Sequence, residues 1–153
     1  MSRVTEIRYV GYGVTDLEAE RAFYIDQWGL EIVPSDDGMV WFKTPGHEEH
    51  HVVGLRAAEA DRIDVIAMAA ESRADVDALC EKVRASGGRI VHDPRELATP
   101  GGGYGFRFFS PDGLQFEISS DVARASARAV ERWEGVPVRI SHIVLHSPDH
   151  QVL

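Results

Sequence analysis

The apolar and polar positions of the first 57 residues predict a strand, a helix and three further strands. Residues Val4–Val14 are rich in β-branched and aromatic side chains, which favour a strand. A helix is predicted from Asp16 to Trp28, because Asp16 is a good N-terminal cap and Gly29 a good stop. Three short strands separated by turn residues follow, at Glu31–Val33, Met39–Lys43 and His51–Arg56. The predicted order is βαβββ.

The same order of elements recurs directly afterwards. A strand is predicted over Arg62–Met68, and a helix over residues 72–86 begins with a capping box formed by Ser72 and Asp75. The helix carries apolar residues at positions i, i+3, i+4 and i+7, namely Val76, Leu79, Cys80 and Val83. Three strands follow it, at Arg89–His92, Tyr104–Phe109 and Leu114–Ser119. The chain therefore contains two βαβββ units, an internal repeat.

The residues after the second unit predict a connecting helix at 121–133 and a further strand at 138–146. Aligning Asp149 with Asp16, each of which closes a strand and opens a helix, places His142 on Tyr9. We therefore predict one domain over residues 1–134, made of units 4–57 and 62–120 and the connecting helix. Residues 138–153 are predicted to be the first strand of a second, truncated domain.

Composition narrows the possible functions without naming one. The net charge of −9 argues against a nucleic-acid partner, because binding to phosphates requires basic side chains. A single cysteine, Cys80, cannot form a disulfide within the chain, which fits a reducing compartment. Neither a signal peptide nor an apolar run of membrane-spanning length is evident, so we expect a cytoplasmic protein with no membrane partner.

Paired βαβββ units forming one α+β domain resemble the vicinal oxygen chelate superfamily, which includes glyoxalase I, bleomycin-resistance proteins and ring-cleaving dioxygenases. Four segments are similar to the N-terminal domain of type I extradiol dioxygenases of the catechol 2,3-dioxygenase kind. They are GYGVTDL at 11–17, FYIDQWGL at 23–30, EHHVVGL at 49–55 and GGYGFRFFSPDG at 102–113. The segment ISHIVL at 140–145 is similar to the opening strand of the C-terminal domain in the same family.

This resemblance implies an enzyme of aromatic catabolism that opens a catechol-like diol with O2. Such enzymes hold Fe(II), occasionally Mn(II), by two histidines and one glutamate, all from the C-terminal domain, leaving coordination positions for diol and oxygen. His142 matches the first of these ligands, whereas the other two belong to a unit that this sequence does not contain. The resemblance therefore implies that His142 is a metal ligand and that this fragment has no catalytic residue, no cofactor and no activity by itself.

The positions in the first two units that correspond to the metal ligands hold Tyr9, Asp64 and Glu117. Without an imidazole this would be a poor ferrous site, which predicts a metal-free N-terminal half. Glu117 would then make a hydrogen bond or a salt bridge.

Other kinds of function remain open at this stage. The segment His47–His51 matches the HExxH pattern of zinc proteases, but it is predicted to span a turn and a strand start, where His50 and His51 would point to opposite faces. A glyoxalase-like metalloenzyme could combine Glu117 with His50 or His51 across a dimer. A binding dimer of the bleomycin-resistance type would hold a small molecule without chemistry. For the fragment of a dioxygenase we expect a homo-oligomer, because a half-enzyme would expose surface that is normally covered.

Overall fold

The computed structural model describes residues 2–146 and contains two helices and eight strands in mixed α+β order. The elements of the first unit are β1 (Val4–Val14), α1 (Leu17–Asp26), β2 (Glu31–Val33), β3 (Val40–Lys43) and β4 (Val53–Ala57). Those of the second are β5 (Arg62–Ala70), α2 (Arg73–Ala85), β6 (Arg89–Glu96), β7 (Tyr104–Phe109) and β8 (Gln115–Ser120). The predicted tandem βαβββ units and the α+β class are confirmed.

All eight strands form one sheet in the order β2-β3-β4-β1-β5-β8-β7-β6. Within each unit the first and last strands pair in parallel, β1 with β4 and β5 with β8. The two units meet through the antiparallel pair of β1 and β5. Each half of the sheet therefore repeats the other in reverse order, and the first strands of both units lie side by side at the centre.

The two helices begin where the sequence predicts. The Asp16 carboxylate accepts a hydrogen bond from the Ala19 backbone N–H at 3.0 Å, and the Ser72 hydroxyl accepts one from the Asp75 N–H at 3.2 Å. Gly29 follows α1 with a φ of +63°, a conformation that a residue with a side chain rarely adopts. In α2, Val76 and Cys80 are buried.

Alternation along the strands divides the core between the two faces of the sheet. One cluster lies beneath α1 and includes Phe42 and Leu55, and another lies beneath α2 and includes Phe106 and Ile118. The third lies on the face without helices and consists of Tyr9, Val33, Trp41, Val65 and Ala67. This third cluster is the floor of the candidate site.

The connecting helix predicted at 121–133 is wrong, since this segment is extended and only Arg132–Glu134 forms a 3-10 turn. Its backbone N–H groups bond to the rest of the domain: Ala123 donates to the Gly101 carbonyl, Ala125 to Glu48 and Arg128 to Pro45. Trp133, which the prediction placed on the apolar side of this helix, is 84% exposed. We call residues 121–146 the strap.

The strand predicted at 138–146 is not formed over these residues either, because none of the eight strands pairs with it. The strap is instead held by the Thr44 hydroxyl, which donates to the Val138 carbonyl at 2.9 Å, and by Ile140 packing on the cluster beneath α1. Residues 147–153, and with them Asp149, lie outside the described residues. The predicted second domain stays a prediction.

Two smaller differences concern strand ends. The strand predicted at His51–Arg56 begins at Val53, and that predicted at Arg89–His92 continues to Glu96 across Pro94. Proline is tolerated there because β6 is at the edge of the sheet. Within residues 2–146, neither helix has the length and apolar character needed to cross a bilayer.

Candidate functional site

The centre of the helix-free face is a buried ion pair with a tyrosine beside it. Glu117 on β8 is 1% exposed, and Arg107, directly opposite it on β7, places Nε and Nη2 each 2.8 Å from Glu117 Oε2. The Tyr9 hydroxyl on β1 donates to the same oxygen at 3.2 Å, and Arg107 Nη2 lies 3.4 Å from the Tyr9 oxygen. Three strands therefore converge on one carboxylate.

These groups set one another's charge. Burial raises the pKa of Tyr9, and the Glu117 carboxylate raises it further, so the phenol stays neutral and can donate. Burial, the largest effect, lowers the pKa of Arg107, but the Glu117 carboxylate and the Tyr9 hydroxyl together more than offset it and leave that pKa above its usual value. The centre consists of a permanent cation, its counter-ion and a neutral donor.

Asp64 is not part of this centre, contrary to the sequence alignment of the repeats. The residue of β5 that pairs with both Tyr9 and Glu117 is Ala67. Asp64 is three residues along the strand, about 10 Å away. Its carboxylate is bound by Arg56, with Nε 2.6 Å from Oδ2, and by Arg62, with Nε 2.8 Å from Oδ1.

A divalent metal does not fit the centre. Ala67 offers no ligand, Tyr9 is held neutral, and Arg107 already places a positive charge against the single carboxylate. Across residues 2–146 no group of three or more His, Cys, Asp or Glu side chains is arranged to hold a metal ion. His142 lies on the strap with its imidazole exposed, Nδ1 being 3.0 Å from the Ser141 hydroxyl. The structure therefore does not bring His142 together with a second ligand in the described part of the chain.

The segment His47–His51 is a loop, which confirms that it is not the helical site of a zinc protease. The expected divergence of His50 and His51 is wrong, since their Nδ1 atoms are 3.2 Å apart. Strand alternation does not apply to them because β4 begins only at Val53. His51 is buried against Tyr9 and Trp41, at ring-centroid distances of 4.6 and 4.4 Å. Burial, together with the neighbouring His50 and Arg8, lowers the pKa of His51 to about 3.

A cavity of about 1030 Å³ opens above the ion pair, and we call it the cleft. Sequence reasoning missed both the cleft and Arg107. Two features of the sequence could have indicated Arg107. Alternation along β7 places it on the same face of the strand as Phe109, and the SPDG turn predicts a hairpin in which β7 pairs with β8, where Arg107 lies opposite Glu117. The cleft is lined by arginines from both units, by apolar side chains and by a few other polar groups; the arginines are Arg56, Arg62, Arg95 and Arg107.

Comparison with known proteins agrees with this architecture. The sequence profile of the Glyoxalase/Bleomycin resistance protein/Dioxygenase superfamily matches residues 6–118. A manganese-dependent 2,3-dihydroxybiphenyl 1,2-dioxygenase from Geobacillus genomosp. 3 is 28% identical over 127 residues, which are 82% of this chain and 40% of the relative. A biphenyl-2,3-diol 1,2-dioxygenase from Sphingomonas paucimobilis is 28% identical over 123 residues, covering 72% of this chain and 41% of the relative.

Solved structures share the fold. The Mn(II)-bound glyoxalase from Novosphingobium aromaticivorans has a TM-score of 0.95 at 67% identity, over 99% of this chain and 50% of that one. Homoprotocatechuate 2,3-dioxygenase from Arthrobacter globiformis has a TM-score of 0.78 at 26% identity, over 92% of this chain and 44% of that one. The chain thus spans half or less of the length of each of these four proteins. By its matched profile and its paired βαβββ units, this chain belongs to the glyoxalase, bleomycin resistance protein and dioxygenase superfamily, with a vicinal oxygen chelate fold.

Proposed function

We propose that this chain is the metal-free N-terminal half of a metal-dependent dioxygenase that cleaves a catechol-like diol with O2. The observation that carries the proposal is the ion pair of Arg107 and Glu117, which fills the centre of this half with the protein's own cation. The names of the two curated relatives support the reaction class, and the manganese in the 67% identical structure supports a metal in the complete protein.

The energetics of the ion pair favour a structural role for this half. A metal ion entering the centre would have to displace a guanidinium that makes two short contacts with the carboxylate. The displaced Arg107 guanidinium would then lose its counter-ion and lie beside the positively charged metal ion. Two unpaired cations close together are strongly unfavourable where few water molecules can solvate them. The metal, Mn(II) or Fe(II), would instead be held by His142 and by ligands beyond this sequence.

Metal content tests this division of roles. The 153-residue protein, purified and equilibrated with Mn(II) or Fe(II), is expected to retain no stoichiometric metal by mass spectrometry. In the complete translation product of the reading frame, His142→Ala should abolish metal retention, whereas Glu117→Gln should leave it unchanged. Stoichiometric metal in the 153-residue protein that is lost in Glu117→Gln would refute the proposal.

A glyoxalase-type isomerase is the second candidate, because the 67% identical structure carries that name. The complete translation product would be assayed with 2,3-dihydroxybiphenyl and O2, and separately with the hemithioacetal of methylglyoxal and glutathione. Ring opening with oxygen consumption is the expected result. Turnover of the hemithioacetal without ring opening would identify the complete protein as an isomerase and not a dioxygenase. The proposal that this half binds no metal would be unaffected.

A further inference from the structure

The cleft above the ion pair has the lining of a small-molecule site, although nothing in the proposed function requires it to bind anything. Its volume of about 1030 Å³ is at the upper end of the range for ligand pockets. Apolar side chains line much of it, among them Met39, Trp41, Val91 and Phe109. Val91 is 46% exposed, so its side chain offers apolar surface to the cleft.

The charges in the cleft favour an anion. The lining carries four guanidinium groups against three carboxylates, those of Asp37, Asp64 and Glu96. The cleft therefore has about one net positive charge in a chain whose overall charge is −9. Arg62 shares the Asp64 carboxylate with Arg56, so these two cations have a single counter-ion between them.

Donors are available to meet an anion. Arg107 uses Nε and Nη2 on Glu117 and Tyr9, while its Nη1 has no hydrogen-bond partner within residues 2–146. The Arg107 side chain is 27% exposed and lines the cleft. Arg95 is exposed at the rim and forms no ion pair with any described residue. Guanidinium groups bind carboxylates well because their planar N–H donors match the two oxygens.

We propose that the cleft of this half binds a small aromatic monocarboxylate, with its ring against the apolar wall at Val91 and Phe109 and its carboxylate among Arg62, Arg95 and Arg107. The single excess charge matches a monoanion rather than a phosphate dianion. The inference does not depend on the proposed function, because it concerns the cleft of this half and not a metal.

Calorimetric titration of the purified protein with three probes tests the site. Benzoate supplies both ring and charge, benzamide supplies the ring without the charge, and acetate supplies the charge without a ring. Saturable binding of benzoate is expected, with benzamide and acetate each at least about tenfold weaker. Absence of saturable benzoate binding, or benzamide binding as tightly as benzoate, would overturn the proposal.

Variants locate the binding. Arg95→Gln and Val91→Asp change exposed residues of the cleft, so neither should prevent folding, and each should weaken benzoate about tenfold. Arg132→Gln removes the same charge from an exposed site on the strap and should leave benzoate affinity unchanged. An equal loss in Arg132→Gln, or no loss in both cleft variants, would contradict a site in the cleft. The failure of benzoate would not affect the metal measurements above.

Discussion

At the scale of single residues, the buried Glu117 carboxylate depends on Arg107 as its counter-ion. Arg107→Met would leave the Glu117 carboxylate buried without a counter-ion. We expect a loss of roughly 3 kcal/mol in the free energy of unfolding, near the lower end of the range for breaking buried pairs, since Arg107 is partly exposed. Urea denaturation measures it.

The double variant Arg107→Met with Glu117→Gln is the matched control for this prediction. The amide that replaces the Glu117 carboxylate would keep an acceptor for the Tyr9 hydroxyl and remove the unpaired charge. The double variant should recover at least about 1 kcal/mol relative to Arg107→Met alone. Equal stability of the single and double variants would show that the carboxylate does not depend on the arginine.

His51 makes stability depend on pH. Its pKa is lowered to about 3 in the folded protein, so it stays neutral while the unfolded chain takes up a proton below about pH 6.5. The unfolded state then binds more protons, and stability falls as the pH falls from about 6.5 towards 3. Denaturation between about pH 6.5 and 5, above the main titration range of carboxylates, should show this slope in the parent protein.

His51→Phe should flatten that slope, whereas His92→Phe, in the cleft, should keep it. The neighbouring His50 also has a lowered pKa, because of burial, and contributes in the same direction. A slope that is unchanged in His51→Phe would assign the acid sensitivity to other groups.

At the scale of elements, the strap packs closely against Gly46, which lies in the turn after β3. A methyl group added at Gly46 would lie 2.7 Å from Val130 Cγ2, too close for the strap to keep its place. Gly46→Ala should cost about 1 kcal/mol or more through overpacking and should speed hydrogen exchange in residues 123–138. Hydrogen-exchange mass spectrometry resolves this segment from the sheet.

Adding Val130→Ala should largely restore protection in the Gly46→Ala background, because it removes the methyl group that would clash. Protection that stays low in the double variant would mean that Gly46 acts through the loop before His47 and not through the strap.

At the scale of the whole molecule, exposed apolar side chains on the strap favour association with another surface. Trp133 is 84% exposed and Val144 74%. If the predicted homo-oligomer uses this surface, Trp133→Ser should shift the sedimentation of the 153-residue protein towards the monomer. Val91→Ser, an exposed apolar residue outside the strap, should not. A monomer at every concentration in the parent protein would contradict the predicted oligomer.

The sequence by itself determined the two βαβββ units and the capped helix starts at Asp16 and Ser72. It also determined that Tyr9 and Glu117, which correspond to metal-ligand positions of the family, supply no imidazole. These features depend on local periodicity, capping and residue type, which a single chain displays directly. Only the tertiary structure decided that Ala67, and not Asp64, stands between Tyr9 and Glu117, because the registers of β1 and β8 on β5 set this pairing and no local sequence pattern specifies them.

Tertiary structure also decided the course of the strap and the position of Arg107. The composition of residues 121–133 favours a helix, but carbonyls of Pro45, Glu48 and Gly101 bond to its backbone and keep it extended. Arg107 reaches Glu117 only because β7 and β8 pair in one register. Contacts between distant segments outweigh local preference in both places, since each satisfies groups that the local sequence leaves without partners.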